Sequence, residues 1–149
     1  MTDFVCSLLQ IDDDVTDLSP LSGITEIGSL SIEDTEKLTD LSALEKLETI
    51  KMSLDIEDNE ALTSVALPGL KNVGMGVEIE ENEKLTSVAF SGLTVGMNFK
   101  IKENDALTKL SLDVGDVGMS ATIDDDALTS LDDVKFGSVG MSLTIKGER

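Results

Sequence analysis

The chain has 149 residues, the size of one ordinary domain, and its 30 acidic and 11 basic side chains give a formal net charge of −19 at pH 7. A surface this acidic repels phosphate backbones and anionic lipid headgroups, so we expect neither nucleic acid nor a membrane surface as a partner. No run approaches the roughly 18 consecutive apolar residues that a membrane span requires, which argues against membrane insertion.

The first ten residues differ from the rest and predict an N-terminal cap over 1–10. Residues 2–10 carry four apolar side chains at the spacing of a short helix, with Thr2 or Asp3 as its N-cap. The chain opens without the basic segment of a secretion signal, so a cytoplasmic protein and one whose signal was removed both remain open. The single cysteine, Cys6, excludes an internal disulfide.

A repeat of about 22 residues runs along the rest of the chain. The phrase Val-Gly-Met begins at Val73, Val95, Val117 and Val139, spaced by 22 each time. A second phrase, Ile-x-x-Asn-x-x-Leu-Thr, keeps a similar period, and seven anchor isoleucines mark it: Ile11, Ile32, Ile56, Ile79, Ile101, Ile123 and Ile145. Two independent phrases with one period predict a β-solenoid of about six to seven stacked coils forming one domain over 1–149.

Each coil is expected to contain a strand, a polar corner and an apolar return segment. Val73, Met75, Val77 and Ile79 alternate with small or acidic residues, which predicts a strand with one buried face. This alternation places the methionines inside, where they would serve as core filler. The inward methionine column comprises Met52, Met75, Met97, Met119 and Met141.

The last coil ends directly after a predicted strand, Leu143 to Ile145, with no capping element after it. An uncovered strand at the end of a sheet offers unpaired main-chain groups to another chain. This arrangement favours either a truncated array or end-to-end pairing of two copies into a homo-oligomer.

Outward positions become columns in a solenoid, and two of three such columns have two interpretations each. Acidic residues two positions after each anchor could bind calcium, but no calcium-type loop is present, so a solvated edge is favoured. Threonines could form an ice-binding face, or act as strand formers that bond local backbone. Asparagines are expected to satisfy main-chain groups within the corner. The columns are Asp13, Asp34, Asp58, Glu81, Glu103 and Asp125; Thr16, Thr39, Thr63, Thr86, Thr108 and Thr129; and Asn59, Asn82 and Asn104, with Asp14 and Asp126 at nearby corners.

The outer face of the long-strand sheet is the predicted binding surface for a protein partner. Its side chains vary from coil to coil, whereas glycines leave a low strip beside them that could serve a ligand or simply allow strand curvature. The residues expected to contact the partner are Lys51, Asp55, Glu78, Asn98, Lys100, Thr122 and Thr144.

Catalysis would need an acid–base pair, a nucleophile or a set of metal ligands. The chain has no histidine, its only cysteine lies near the N-terminus, and its only arginine is Arg149. Every carboxylate belongs to a repeated column, which argues against a unique active site. We therefore expect no enzyme activity, no cofactor and no metal site.

The phrase Leu54-x-Ile56-x-x-Asn59-x-x-Leu62-Thr63, followed by a Leu-x-x-Leu return and a Val-Gly-x-x-Leu/Val-x-Ile strand, resembles the receptor L-domain repeat. The segment 15–21 also resembles internalin-type leucine-rich repeats. The resemblance implies a right-handed, three-sided β-helix related to leucine-rich repeats. It further implies a non-catalytic recognition module at the cell surface or outside the cell. The alternative is a spacer segment of a longer surface repeat protein.

Overall fold

The computed structural model describes residues 7–125 and 127–147, which form fourteen β-strands, two short 3-10 helices (Ser19–Leu21 and Ser42–Leu44) and no α-helix. In chain order the strands are β1 (Leu9–Asp13), β2 (Glu26–Ile27), β3 (Leu30–Thr35), β4 (Thr49–Ile50), β5 (Leu54–Glu57), β6 (Ser64–Ala66), β7 (Asn72–Val73), β8 (Val77–Glu80), β9 (Ser87–Val95), β10 (Phe99–Lys102), β11 (Lys109–Val117), β12 (Ser120–Asp124), β13 (Val134–Val139) and β14 (Ser142–Lys146). The protein is a mainly-β solenoid.

The first sheet contains seven parallel strands in the order β1-β3-β5-β8-β10-β12-β14, one strand for each coil. The anchor isoleucines face one another across every pair of neighbouring strands, from Ile11 opposite Ile32 to Ile123 opposite Ile145. The predicted single file of anchors is therefore confirmed. All of them are buried except Ile145, which lies on the last strand and is 37% exposed.

The second sheet follows the order β13-β11-β9-β7-β4-β2, with β6 paired to β9. In the first two coils the third side is a 3-10 turn instead of a strand. Each turn is started by an aspartate, because the Asp17 and Asp40 carboxylates accept hydrogen bonds from the main-chain N–H groups of Ser19 and Ser42. From β6 onward, strands replace these turns.

The core between the sheets is mostly aliphatic, as the composition predicts. Its largest fully buried side chain is Phe99, whose ring packs edge-on at centroid distances of 6.0 Å from Phe90 and 5.9 Å from Phe136. Each buried aliphatic side chain contributes roughly 1.5–3 kcal/mol of transfer free energy. The stacked inward columns therefore supply the main stabilisation of the fold.

The methionine column is not core filler, and this prediction is wrong. Met52 is 50% exposed and Met141 is 71% exposed, with the others between half-buried and exposed. The alternation is interrupted because Val73 ends β7 and Val77 begins β8, and the chain bends between them at the Gly-Met pair. The methionine therefore sits on the outside of a corner instead of inside a strand.

The glycines before the methionines are required by the spacing of the coils. A Cβ atom on Gly96 would lie 2.0 Å from the carbonyl oxygen of Gly74, and one on Gly118 would lie 2.0 Å from that of Gly96. No side chain fits such a gap, so the glycine column marks a place where successive coils leave no room for a Cβ atom.

A second corner follows each anchor isoleucine. Asp13, Asp34, Asp58, Glu81 and Glu103 have φ values between 53° and 58°, the left-handed region, and their side chains are exposed. Asp125 departs from this column because it is buried. Coil six has one residue fewer at this corner, so Asp125 enters the asparagine column instead, and Asp126 lies outside the described residues.

The two ends of the solenoid differ from the expectations in part. The predicted capping helix does not extend over Leu9 and Gln10, since these residues belong to β1, and residues 1–6 lie outside the described part of the chain. At the other end, every residue of β14 is exposed, including Leu143 at 48%.

Candidate functional site

The outer face of the first sheet brings most of the predicted partner-binding residues into one column. Asp55 lies opposite Glu78, Glu78 opposite Lys100, Lys100 opposite Thr122, and Thr122 opposite Thr144. Neighbouring strands in a sheet are about 4.8 Å apart, so these five side chains form a continuous outward file.

The other two predicted residues lie at the corner that precedes the strands. Asn98 is exposed, and its Oδ1 accepts a hydrogen bond from the main-chain N–H of Ser120 at 3.3 Å. Lys51 forms an ion pair with Glu26, with 2.9 Å between Nζ and Oε2, in which both side chains are more than half exposed. Asn98 borders the column, whereas Lys51 points to the edge of the second sheet, where Glu26 begins β2.

A surface cavity of about 360 Å³ joins the column to the corner residues beside it. Five of the predicted residues line it: Asp55, Glu78, Asn98, Lys100 and Thr122. Lys51 and Thr144 do not line this cavity. The middle of the predicted surface therefore lies around one cavity, whereas Lys51 and Thr144, at the two ends of the surface, lie outside it.

A second outward column lies two residues further along each strand, and our sequence analysis missed it. Each member directly follows an anchor isoleucine, so the period-two alternation of side chains along the strand could have predicted this column. The register aligns Glu33, Glu57, Glu80, Lys102, Asp124 and Lys146. The two columns together divide the face into an acidic region on β3, β5 and β8 and a basic region on β10.

Ion pairs connect these two regions. Lys100 Nζ lies 3.9 Å from Glu78 Oε2 and 3.9 Å from Glu80 Oε1, while Lys102 Nζ lies 3.7 Å from the same Glu80 oxygen and 3.3 Å from Glu103. The Glu80 side chain is only 10% exposed. The lysines of one coil thus offset a nearly buried carboxylate of the coil before it.

The acidic region holds one carboxyl group whose pKa is raised well above its ordinary value. Burial raises the pKa of Glu57 to about 8, and hydrogen bonds with Glu33 and Glu80 and the charges of Glu78 and Glu80 act in the same direction. The pKa of Asp55 is also raised, first by burial and then by the charges of Glu33 and Glu80. Burial is the main cause of both shifts, and the crowding of carboxylates in adjacent coils adds to it.

The same crowding places metal-type donor atoms close together. Glu57, Glu78 and Glu80 each offer an oxygen within 4.8 Å of the others. Calcium takes six to eight oxygen ligands, and Lys100 and Lys102 already offset the charge of Glu80. We therefore assign no metal to this group.

An uncharged apolar strip runs along the corner beside the first column, and the sequence analysis placed its residues in the core. We call it the methionine strip: Met52, Met75, Met97, Met119 and Met141. Main-chain hydrogen bonds of 2.7–2.8 Å join successive members. Glycines flank most of it on one side, and Ser53, Gly76, Asn98, Ser120 and Ser142 flank it on the other. On a protein with a net charge of −19, this strip is a continuous neutral surface.

A larger cavity of about 530 Å³ lies on the outer side of β6, β9, β11 and β13. Apolar residues such as Ala66, Pro68 and Ala89 line it, and Lys109 and Lys135 lie at its border with two aspartates. This surface was not predicted, because the Leu-x-x-Leu phrase of the return segments marks their buried residues and gives no pattern for the outward ones.

The described residues contain no helix with the length and hydropathy required to cross a bilayer. Among known proteins, the sequence model of the family described as Receptor L domain matches residues 7–94. No curated protein and no solved structure matches the chain. The match covers more than half of the sequence and agrees with the coil architecture, the aligned anchors and the asparagine corners. The chain belongs to the receptor L domain family.

Proposed function

We propose that this protein is a non-catalytic recognition module that binds a protein partner through the outer face of the first sheet and the adjoining methionine strip. The observation that carries the proposal is the continuous surface formed by the two. The outward column from Asp55 to Thr144 lies directly beside the neutral strip. Membership of a receptor-domain family supports ligand binding as the role of such a surface.

The chemistry of this surface favours a partner that is apolar along one line and basic beside it. The strip spans five coils, so at about 4.8 Å per coil its length is roughly 19 Å. Standard interfaces bury about 800 Å² per partner, which is more than the strip alone offers. The partner would therefore also cover the acidic columns, where Asp55 and Glu78 would attract lysine or arginine.

Within this proposal, the lysines and threonines of the column have separate roles. Lys100 would set the register of the partner, because it marks the change from acidic to basic side chains along the column. Thr122 and Thr144 would offer hydroxyl hydrogen bonds at the end of the face. Asn98 would contribute at the corner, and Lys51 would border the far end of the strip.

The test compares two surfaces of the intact protein in a capture experiment from its native environment. One variant carries Lys100→Glu with Met97→Ser on the proposed face, and the matched control carries Lys109→Glu with Lys135→Glu on the second cavity. The expected result is one partner whose measured affinity falls at least about 10-fold with the first variant and stays unchanged with the control. Equal binding by all three proteins, or loss only with the control, would refute the assignment of the face.

A second candidate function is that of a spacer segment, and a second copy of the chain, bound end to end, is a further candidate partner that the exposed side chains of β14 support. Leu131, Leu143 and Ile145 are 40%, 48% and 37% exposed at that end. Unpaired edge strands with apolar side chains associate readily. Sedimentation at increasing concentration should show dimers that Ile145→Lys abolishes; a monomer at all concentrations would contradict the homo-oligomer.

We also propose the finer features that the family resemblance implies. The coils are expected to be right-handed, because parallel strands joined by crossovers within one sheet wind that way in nearly all proteins; a crystal structure would check the hand. An extracellular or cell-surface location follows from the family, and antibody labelling of unpermeabilised cells would test it.

A further inference from the structure

A ladder of buried side chains connects the coils beneath the acidic corner. Its described rungs are Thr35, Asn59, Asn82, Asn104 and Asp125, each at most 1% exposed. Every side-chain oxygen below the first rung accepts a hydrogen bond from the main-chain N–H of the preceding rung. The distances are 3.2 Å from Asn59 N to Asn82 Oδ1, 3.1 Å from Asn82 N to Asn104 Oδ1, and 2.7 Å from Asn104 N to Asp125 Oδ1.

The amide nitrogens of the ladder donate in a second, equally regular way. Each asparagine Nδ2 reaches the carbonyl oxygen of the anchor isoleucine one coil earlier. The pairs are Asn59 to Ile32 at 3.0 Å, Asn82 to Ile56 at 3.1 Å and Asn104 to Ile79 at 3.1 Å. A rung therefore needs one acceptor atom and one donor atom at fixed places.

Asp125 occupies a rung that the pattern reserves for asparagine. The turn after it is the same, since Leu128 N donates to Asp125 O at 3.1 Å as Leu107 N does to Asn104 O at 2.9 Å. Its Oδ1 takes the place of the amide oxygen. Its Oδ2 is buried and has no hydrogen-bond partner among the described residues. Because the coils repeat, we expect this oxygen to occupy the position that Nδ2 occupies in the asparagine rungs. It would then face the carbonyl group of Ile101.

We propose that Asp125 is a proton-dependent rung, which replaces asparagine only when its carboxyl group is neutral and Oδ2–H donates to the Ile101 carbonyl. A neutral carboxyl group supplies one acceptor and one donor, as an amide does. An ionised one places two oxygens in contact with no donor between them, which costs free energy in a buried site. The proton therefore completes the hydrogen bonds between coil six and the preceding coil. It thereby stabilises coil six and the strand β14 that pairs with it.

The surroundings of Asp125 favour the neutral form. Burial raises the pKa of this carboxyl group to about 6, against two hydrogen bonds from Asn104 that lower it, and the charges of Asp124 and Asp105 raise it further. From β14, the main-chain carbonyl of Lys146 accepts the Asp125 N–H at 3.3 Å. Because the folded-state pKa lies above the ordinary value of 3.8, this contribution to stability is complete below pH 3.8 and is lost as the pH rises through about 6.

The test follows this one carboxyl group in the full-length protein by NMR. The ¹³C signal of the Asp125 carboxyl group should titrate with a midpoint near 6. Protection of the β14 amides against hydrogen exchange should decrease over the same pH range. A midpoint near 3.8, or exchange of β14 that does not follow the titration, would overturn the proposal.

Two variants give an independent readout. Asp125→Asn supplies the donor permanently, so at pH 8 it should melt about 3–6 °C above wild type, and the difference should vanish below pH 3.8. Asp113→Asn removes one exposed charge of β11 and leaves the ladder intact, so it should change the melting temperature by less than about 1 °C. If Asp125→Asn melts at or below wild type at pH 8, the rung does not need the proton.

Discussion

Replacing Asn82 by alanine tests how much the buried ladder contributes to stability. Asn82 Oδ1 accepts hydrogen bonds from Asn59 N at 3.2 Å and from Asn59 Nδ2 at 2.9 Å. Its Nδ2 donates to Ile56 O at 3.1 Å and to Asn104 Oδ1 at 3.0 Å. Asn82→Ala removes all four of these hydrogen bonds from the middle of the buried ladder.

The expected loss follows from the groups that remain. A buried donor left without an acceptor costs roughly 1–3 kcal/mol, so the two Asn59 donors alone give about 2–6 kcal/mol. Domains of this size unfold with about 5–15 kcal/mol, so the variant should lose a large share of its stability. Water entering the vacated space would move the result toward the lower figure.

Urea unfolding at fixed pH measures this difference, provided that the m values agree between variants. The matched control is Asn98→Ala, because Asn98 is exposed and its amide oxygen accepts one bond, from Ser120 N at 3.3 Å. The control should lose less than about 0.5 kcal/mol. If Asn82→Ala lies within about 1 kcal/mol of Asn98→Ala, the ladder is not a stabilising element and the reasoning fails.

Three further substitutions test other parts of the fold. Ile79→Asp buries a charge among the anchor isoleucines and should prevent folding. Glu78→Ala, on the outer face, should leave the melting temperature nearly unchanged. Similar effects of the two substitutions would contradict the orientation of β8. Gly96→Ala places a Cβ atom 2.0 Å from a carbonyl oxygen of the previous coil and should lower the free energy of unfolding by about 2–3 kcal/mol. Gly23→Ala is the control, because a Cβ atom there meets open space, and the same thermal melts should show little change. Glu57→Gln should stabilise the protein at pH 7 by less than about 1 kcal/mol, since the group is only partly buried and solvent screens its charge. The raised pKa means that wild-type stability falls between pH 4.5 and about 8, so the advantage of Glu57→Gln should disappear when melts are repeated below pH 4.5.

The architecture could be predicted from the sequence because the coil period is repeated in two independent phrases. Stacking makes equivalent residues neighbours, so the spacing of Ile79 and Ile101 already determines that they meet. The column from Asp55 to Thr144 followed from the same register. These predictions needed only the period and the alternation of side chains along a strand.

The exposed methionines and the buried Asp125 could not be predicted in this way. Alternation assumes an uninterrupted strand, whereas the chain bends at Gly74 and Met75, between β7 and β8, and Met75 faces outward. The position of Asp125 depends on the loss of one corner residue in coil six, which changes the register for a few residues only. Both errors arose where a local main-chain conformation changed the side-chain periodicity.

The equal spacing of the Val-Gly-Met phrases makes the later coils interchangeable building blocks. Excising residues 96–117 would join Val95 directly to Gly118, recreating the same corner with the same neighbour on either side. Since each coil contacts only the ones next to it, such a change shortens the molecule without opening its interior. The number of coils can therefore change in steps of one, and each step would alter the length of the solenoid by about 4.8 Å.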